Sequence, residues 1–180
     1  SLRLSDDFRR FLIEVGNGGA GPYYGIHGLN ELYETRDNYW NDLSKPFPYR
    51  RQWAGPPDLL KAIKEAEGDE SGDEDRRGEL IDEYWRQASR DGSISICEYG
   101  CSLCFLLIVN GPEFGRIWFD ATPDVAGYSP VGINRAVAVE RYGKWCITDK
   151  DTPEESRVGF AAWYHCWLDW ACQLVKGGET

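Results

Sequence analysis

The chain has 180 residues and a formal net charge of -10, with 30 acidic and 20 basic side chains. This length suits one domain of about 100–200 residues, and the acidic balance argues against nucleic-acid binding, because phosphate contacts need clustered Lys and Arg. The longest apolar run, Leu103 to Val109, is far shorter than the about 20 residues of a membrane-spanning helix. No basic and then apolar leader opens the chain, and the six cysteines are more typical of a reduced cytoplasm than of a disulfide scaffold.

An amphipathic helix is predicted near the N-terminus, followed by a glycine-rich loop. Ser5 is the expected N-cap, and the two aspartates after it favour a helix start. The apolar stripe of this helix consists of Phe8, Phe11, Leu12 and Val15. The loop from Asn17 to Pro22 superficially resembles a phosphate cradle, but no lysine is placed for that chemistry, so a tight connection is the better interpretation. Tyr23 to Ile26 then predicts a short edge strand.

The stretch from His27 to Pro57 is irregular, with aromatic residues among turn formers, and it predicts a packed long loop with short helical pieces. A helix is predicted from Asp58 to Ala66. The residues that follow carry like charges and have nothing to bury, so a solvated or disordered acidic loop is predicted near 67–77. The next amphipathic helix is marked by Leu80, Ile81, Tyr84, Trp85 and Ala88.

The centre of the chain predicts three consecutive strands, around which the rest is organised. Ile94 and Ile96 alternate with more polar residues, which is the period of a strand with one dry face. The run Leu103–Val109 contains no polar residue and fits a central strand that is covered on both faces. A turn through Asn110–Gly115 leads to the third strand, Arg116–Asp120. Helices should pack against this sheet, because a meander alone cannot cover its apolar residues.

After these strands, Val131–Val139 predicts further strand structure. The segment Thr152–Glu155 has the pattern of a capping box with proline at the first helical position, which predicts a helix start. We therefore expect Pro153–Lys176 to be mostly helical, with Trp163 and Trp167 facing the sheet, because the period of apolar residues changes from two to 3.6.

Cys101 and Cys104 form a C-x-x-C motif. A redox motif sits at a helix N-terminus that lowers the thiolate pKa, whereas this motif opens a buried strand. A zinc site needs a second ligand pair at similar spacing, and the sequence has none. Because an offset of three points the two sulfurs to opposite faces of a strand, structural cysteines are the favoured interpretation.

His165, Asp169 and Cys172 share one face of the last predicted helix, and a hydrolase triad could be imagined from them. Such triads come from separate elements around a cleft, so a local hydrogen bond on the helix surface is favoured. His27 carries no specific signal, and the acidic segment departs from the spacing of an EF-hand loop. No enzyme, cofactor or metal site is therefore predicted.

The order of several features along the chain is similar to that of one known family. The features are Phe11-Leu12, Asn17-Gly18-Gly19, Gly21-Pro22, Phe105–Val109, Asn110-Gly111-Pro112-Glu113, Gly115, Trp118-Phe119-Asp120, Phe160-Ala161-Ala162-Trp163-Tyr164 and Trp167-Leu168. Together they resemble the SUKH superfamily, the Smi/Knr-type domain of bacterial immunity proteins and fungal cell-wall regulators. The resemblance covers nearly the whole chain.

The resemblance implies an α+β fold in which a central antiparallel or mixed sheet is packed by helices, as a single domain over 1–180. It also implies an immunity protein that binds a cognate polymorphic toxin in the cytoplasm, often a nuclease, and blocks it by protein–protein contact. The alternative is an interaction or regulatory adaptor that uses the same fold without a toxin. The motif residues carry no catalytic role over from the family.

A basic toxin is the expected partner, because an acidic surface would steer the encounter and aromatic residues would anchor it. The acidic candidates are Glu67, Asp69, Glu70, Asp73, Glu74 and Asp75, and the aromatic candidates are Tyr39, Trp40 and Trp53. The competing interpretation is a solvated loop that serves solubility, with those aromatic residues packed in the core. Neither a nucleic acid nor a membrane is expected to bind.

Overall fold

The computed structural model describes residues 3–30, 41–67, 74–133 and 156–177. They form an α+β fold, which confirms the predicted class. The helices with both ends inside these ranges are α1 (Asp6–Glu14), α2 (Pro57–Glu67), α3 (Glu74–Gln87) and α4 (Phe160–Gly177), and the strands are β1 (Ser93–Gly100), β2 (Leu103–Ile108), β3 (Ile117–Ala121) and β4 (Gly127–Pro130). A short 3-10 turn, Thr122–Asp124, leads from β3 towards β4. In the described ranges, every helix is too short or too polar to span a bilayer.

The strands form one antiparallel sheet in the order β1-β2-β3-β4. The first three strands are those predicted from the sequence. The sequence does not predict β4, because Gly127–Pro130 has no alternation of apolar and polar side chains. This strand ends in proline, which a sheet tolerates at its edge. Of the predicted strand Val131–Val139, the residues from 134 onwards lie outside the described part of the chain. Gly132, just before them, forms a β-bridge with Arg157.

The sheet separates two hydrophobic cores, because successive residues of β2 point to opposite faces. Phe105 and Leu107 enter the first core, together with Phe8 of α1 and Trp163 of α4. The second core contains Phe47, Cys104, Leu106, Ile108, Trp118 and Tyr128. All of β2 is buried, so the prediction of a central strand covered on both faces is confirmed.

Both edges of the sheet are occupied by other parts of the same chain. Along β1, the backbone N–H of His27 donates to the carbonyl of Ile96 at 2.9 Å, and that of Tyr24 donates to Glu98 at 3.4 Å. Along β4, Trp53 and Tyr128 exchange both backbone hydrogen bonds, at 2.9 and 2.8 Å. These contacts limit the addition of a further strand from another protein at either edge.

The predicted edge strand at Tyr23–Ile26 is a turn for most of its length, so that prediction is wrong. The backbone N–H of Gly25 donates to the carbonyl of Pro22 at 2.8 Å, and Tyr23 has a φ of 50°. Ile26 does form a β-bridge, with Gly19. The turn replaces the strand because Gly25 has a φ of 95°, a conformation that glycine adopts at little steric cost and that a strand excludes.

The last helix begins later than the sequence predicts. Its first residue is Phe160, and the two residues Arg157 and Gly159 before it lie in β-bridges. The prediction that Pro153–Lys176 is mostly helical is confirmed for 160–176, whereas pairing with neighbouring segments keeps 157–159 out of the helix. The capping-box residues Thr152–Glu155 lie outside the described part of the chain.

A distant side chain caps α4 in this structure. The carboxylate of Asp7, in the first turn of α1, accepts a hydrogen bond from the backbone N–H of Ala161 at 2.9 Å. This contact satisfies one of the free N–H groups at the start of α4 and joins the two helices that cover the first core. Trp163 is buried and Trp167 is partly buried against that core, which confirms the predicted inward face.

Candidate protein-interaction surface

A buried polar cluster lies beside the second core, where β2 begins and β3 ends. Arg90 Nε is 3.3 Å from Asp120 Oδ2, and Arg90 Nη2 is 3.2 Å from Cys104 Sγ. Thr122 donates to Asp120 Oδ1 through its backbone N–H at 2.9 Å and through its hydroxyl at 2.7 Å. Because the Asp120 carboxylate is buried and accepts these bonds from its own chain, the cluster holds the segment after α3 against the strand ends.

Tyrosine rings surround this polar cluster. Burial raises the pKa of Tyr49 to about 12, and its hydroxyl accepts a hydrogen bond from the backbone N–H of Ser89 at 3.0 Å. Burial also raises the pKa of Tyr84 and of Tyr128, with the charge of Asp120 as the second cause. The pKa of the Cys104 thiol is raised by burial as well, which keeps it protonated and makes it a poor nucleophile.

We expect the free energy of unfolding to fall as the pH rises above about 10, where tyrosines ionise in an unfolded chain. A group whose pKa is higher in the folded protein than in the unfolded chain stabilises the fold at pH values below its pKa in the unfolded chain. This contribution is lost as the pH rises through the pKa of the folded protein. For Tyr49 the loss of stability continues up to about pH 12, which is the pKa of its hydroxyl in the folded protein. Urea unfolding across this pH range tests the expectation. Tyr49→Phe should make the decrease of the unfolding free energy with pH shallower. Tyr24→Phe, at an exposed ring outside the buried polar cluster of Arg90 and Asp120, is the matched control and should leave this decrease unchanged.

The two cysteines of the C-x-x-C motif lie in different environments. Cys101 is exposed in the β1–β2 turn, with a φ of 52°, and Cys104 is buried in the second core. Both are free. This separation favours the structural interpretation that the spacing predicts.

Three further reactive side chains lie on α4. His165, Asp169 and Cys172 are all exposed on this helix. In the ranges that the structure describes, no group of three or more His, Cys, Asp and Glu side chains is arranged to hold a metal ion.

The predicted acidic loop near 67–77 is helical at both of its described ends, so the prediction of a solvated or disordered loop is wrong there. Glu67 is the last residue of α2, and Glu74 and Asp75 form the first turn of α3. Carboxylates are favourable in the first turn of a helix, where the backbone dipole is positive, which explains why α3 begins inside the predicted loop. These three carboxylates are exposed, and Glu67 lies 2.9 Å from Arg77. The other acidic candidates, Asp69, Glu70 and Asp73, lie outside the described residues.

The aromatic candidate Trp53 is packed against the second core. Its ring centroid lies 5.3 Å from Tyr49, 5.3 Å from Tyr84 and 5.8 Å from Tyr128. Together with its two backbone hydrogen bonds to β4, this packing favours a structural role for Trp53. Tyr39 and Trp40 lie outside the described residues.

The structure instead exposes three tyrosines that the sequence analysis does not propose. We call Tyr23, Tyr24 and Tyr99 the tyrosine cluster; their exposed fractions are 43%, 76% and 43%. Tyr23 and Tyr99 have ring centroids 4.5 Å apart. The sequence gives little indication of this cluster. A tyrosine in a predicted strand is expected to be half-buried, and the contact between Tyr23 and Tyr99 joins segments that are distant in the chain.

Comparison of the chain with protein-family models, with curated proteins and with solved structures finds no match.

Proposed function

We propose that this chain is an immunity protein of the SUKH type, which binds a cognate basic toxin in the cytoplasm and neutralises it by protein–protein contact. The ordered motifs from Phe11-Leu12 to Trp167-Leu168 support the family. The helix-packed antiparallel sheet is compatible with the fold that the resemblance implies.

The observation that carries the proposal is the concentration of negative charge between α2 and α3. The run Glu67–Asp75 contains six carboxylates and no Lys or Arg, and both of its ends are exposed. Opposite charges are paired on the two helices, as in Lys61–Glu65 at 3.7 Å and Arg86–Glu83 at 2.9 Å, and Glu67 at the start of the run pairs with Arg77 at 2.9 Å. Charge of one sign on a surface attracts a partner of the opposite sign, and the attraction is screened over about 8 Å at physiological salt.

The covered sheet edges indicate how a partner would bind. Strand addition needs free backbone groups along an edge, and here His27 and Trp53 already bond the outer sides of β1 and β4. A partner would then be recognised mainly by side chains. Carboxylates would speed the encounter, and exposed aromatic rings would supply the contact area that resists dissociation.

Neutralising the acidic run should slow association with the toxin and lower thermal stability only slightly, because two of the carboxylates lie in the first turn of α3. The variant is Asp73→Asn, Glu74→Gln and Asp75→Asn in one chain. Stopped-flow binding should show a several-fold lower association rate at low ionic strength, and the two proteins should converge as salt is added, because steering is screened. Circular dichroism melting separates this effect from unfolding.

The matched control removes three carboxylates from the helices outside the run, by Glu65→Gln, Glu79→Gln and Asp82→Asn. Net charge changes equally in both variants, so a difference between them reports the position of the charge. If both variants associate as fast as the parent and protect cells equally well, the acidic run serves solubility alone.

The function itself is tested by growth protection. The C-terminal domain encoded by the gene immediately upstream is expressed from an inducible promoter, with and without this chain. We expect growth arrest without the chain, recovery with it, and a stable complex of the two purified proteins. A domain that is not toxic but still binds the chain would favour the adaptor alternative, and toxicity without protection would contradict the immunity proposal.

A further inference from the structure

We infer that the tyrosine cluster is a contact site for an arginine side chain of a protein partner. The inference deepens the proposed function, because it names a contact face and the chemistry that the face recognises. It rests on the proposed function only for the identity of the partner. Recognition of arginine is a property of the cluster itself and can be measured without a toxin.

Two rings of the cluster, those of Tyr23 and Tyr99, pack on aromatic residues of the first core and are held in place. Tyr99 packs against Phe119 with ring centroids 5.4 Å apart, and Tyr23 stacks on Phe105 at 5.6 Å with an angle of 16° between the ring planes. Phe105 in turn lies 5.1 Å from the buried ring of Trp163. Rings that are already ordered lose little conformational entropy on binding, and this favours a contact site.

Tyr24 extends the cluster over the β1–β2 turn. A Cβ at Gly100 would lie 3.3 Å from Tyr24 Cε2, so this ring lies directly over the glycine. Gly100 has a φ of 120°, and a side chain there would be strained and would press on the ring. The absence of a side chain at Gly100 therefore leaves room for Tyr24, the most exposed ring of the three, over the residue that follows Tyr99.

The charge of the two segments that carry the cluster selects the ligand. Residues 16–30 contain no Asp, Glu, Lys or Arg, and residues 93–106 contain one charged residue, Glu98, which is exposed. The faces of aromatic rings attract cations. A guanidinium is planar and weakly hydrated and stacks on rings better than an ammonium does, so arginine is favoured over lysine. The net charge of -10 for the whole chain acts in the same direction.

The probe is the peptide acetyl-Gly-Arg-Gly-amide, titrated into the full chain with the tyrosine ring signals followed by NMR. We expect saturable shifts of the Tyr24 and Tyr99 ring signals, weaker shifts with the lysine peptide and none with the citrulline peptide. Citrulline is the neutral isostere of arginine, so this comparison isolates the charge. A single arginine also limits the attraction of the probe to the acidic run between α2 and α3.

Tyr24→Leu and Tyr99→Leu should each weaken arginine-peptide binding by about two- to five-fold, the range for an exposed cation–aromatic contact. Trp85→Leu is the matched control, because Trp85 is an aromatic residue of 47% exposure on α3. It should bind the peptide like the parent. Near-UV circular dichroism verifies that each variant is folded.

Equal shifts with the citrulline peptide, or tyrosine variants that bind like the parent, would overturn the inference. So would ring-signal broadening that grows with protein concentration in the absence of peptide, since the cluster would then bind a second copy of the chain. The peptide titration is independent of growth protection, so either proposal can fail without the other. If the variants lose peptide binding yet protect cells fully, the cluster recognises arginine but is not the face that the toxin uses.

Discussion

Gly127→Ala should lower the free energy of unfolding by about 3–5 kcal/mol, a large part of the total stability of a domain of this size. A Cβ at this position would lie 1.7 Å from the carbonyl oxygen of Trp53 and 2.8 Å from Ala54 Cα. Both neighbours are backbone, so no side-chain rotation relieves the overlap. The segment must move away from β4, and the two hydrogen bonds between Trp53 and Tyr128 are then lost.

Gly115→Ala is the matched control for this substitution. Gly115 has a φ of 79° and Gly127 one of 78°, so the strain of a left-handed alanine is similar at both positions. At Gly115 the nearest atom to a new Cβ is the side-chain Cβ of Ser5, at 3.3 Å. We expect a loss of about 1–2 kcal/mol for the control, from backbone strain alone. Urea unfolding measures both values, and equal losses would show that the close approach of Trp53 to β4 is unimportant.

Glu113→Gln should cost about 3–5 kcal/mol of unfolding free energy, because it leaves a buried arginine without its counter-charge. Glu113 Oε1 lies 3.0 Å from Arg157 Nη1, and each of the two side chains is 9% exposed. Glu113 Oε2 accepts a hydrogen bond from Trp118 Nε1 at 3.3 Å. Glutamine keeps an acceptor for the indole, so the measured loss isolates the charge.

Two further variants complete the test of this ion pair. Glu65→Gln removes a carboxylate from the exposed pair with Lys61 and should leave the unfolding free energy nearly unchanged, since exposed pairs contribute little. Adding Arg157→Met to Glu113→Gln removes both charges and should recover much of the loss, because no unpaired charge stays buried. If the double variant is less stable than Glu113→Gln, Arg157 contributes mainly by packing and not through the ion pair.

This ion pair also explains why the start of α4 differs from the prediction. Arg157 is held by Glu113, and its carbonyl accepts a hydrogen bond from the Arg116 side chain. Gly159 pairs with Arg116 in a β-bridge. These contacts fix an extended segment before Phe160. A capping box is a local signal, and it carries no information about residues about 40 positions away that compete for the same backbone.

The acidic candidates and the aromatic candidates illustrate different limits of sequence analysis. The charged run between α2 and α3 is visible in the sequence because it depends on composition alone. The role of Trp53 is not visible in the sequence, because an aromatic residue in an irregular stretch is equally suited to an interface and to a core. The tyrosine cluster is harder still to predict, since its exposure depends on how the turn at Tyr23 meets the hairpin at Tyr99.

By itself, the sequence determined the central meander, α1, α2 and the inward face of α4. Each of these is encoded by a local period or by turn residues, such as the uninterrupted run in β2 that ends before Asn110-Gly111. Only the tertiary structure decided the strand β4, the first residue of α4, the closed sheet edges and the exposed tyrosines. All four depend on contacts between distant residues, as in the bonds from Trp53 to Tyr128 and from Asp7 to Ala161. Such contacts form only when the whole chain has packed, so no window of neighbouring residues contains them.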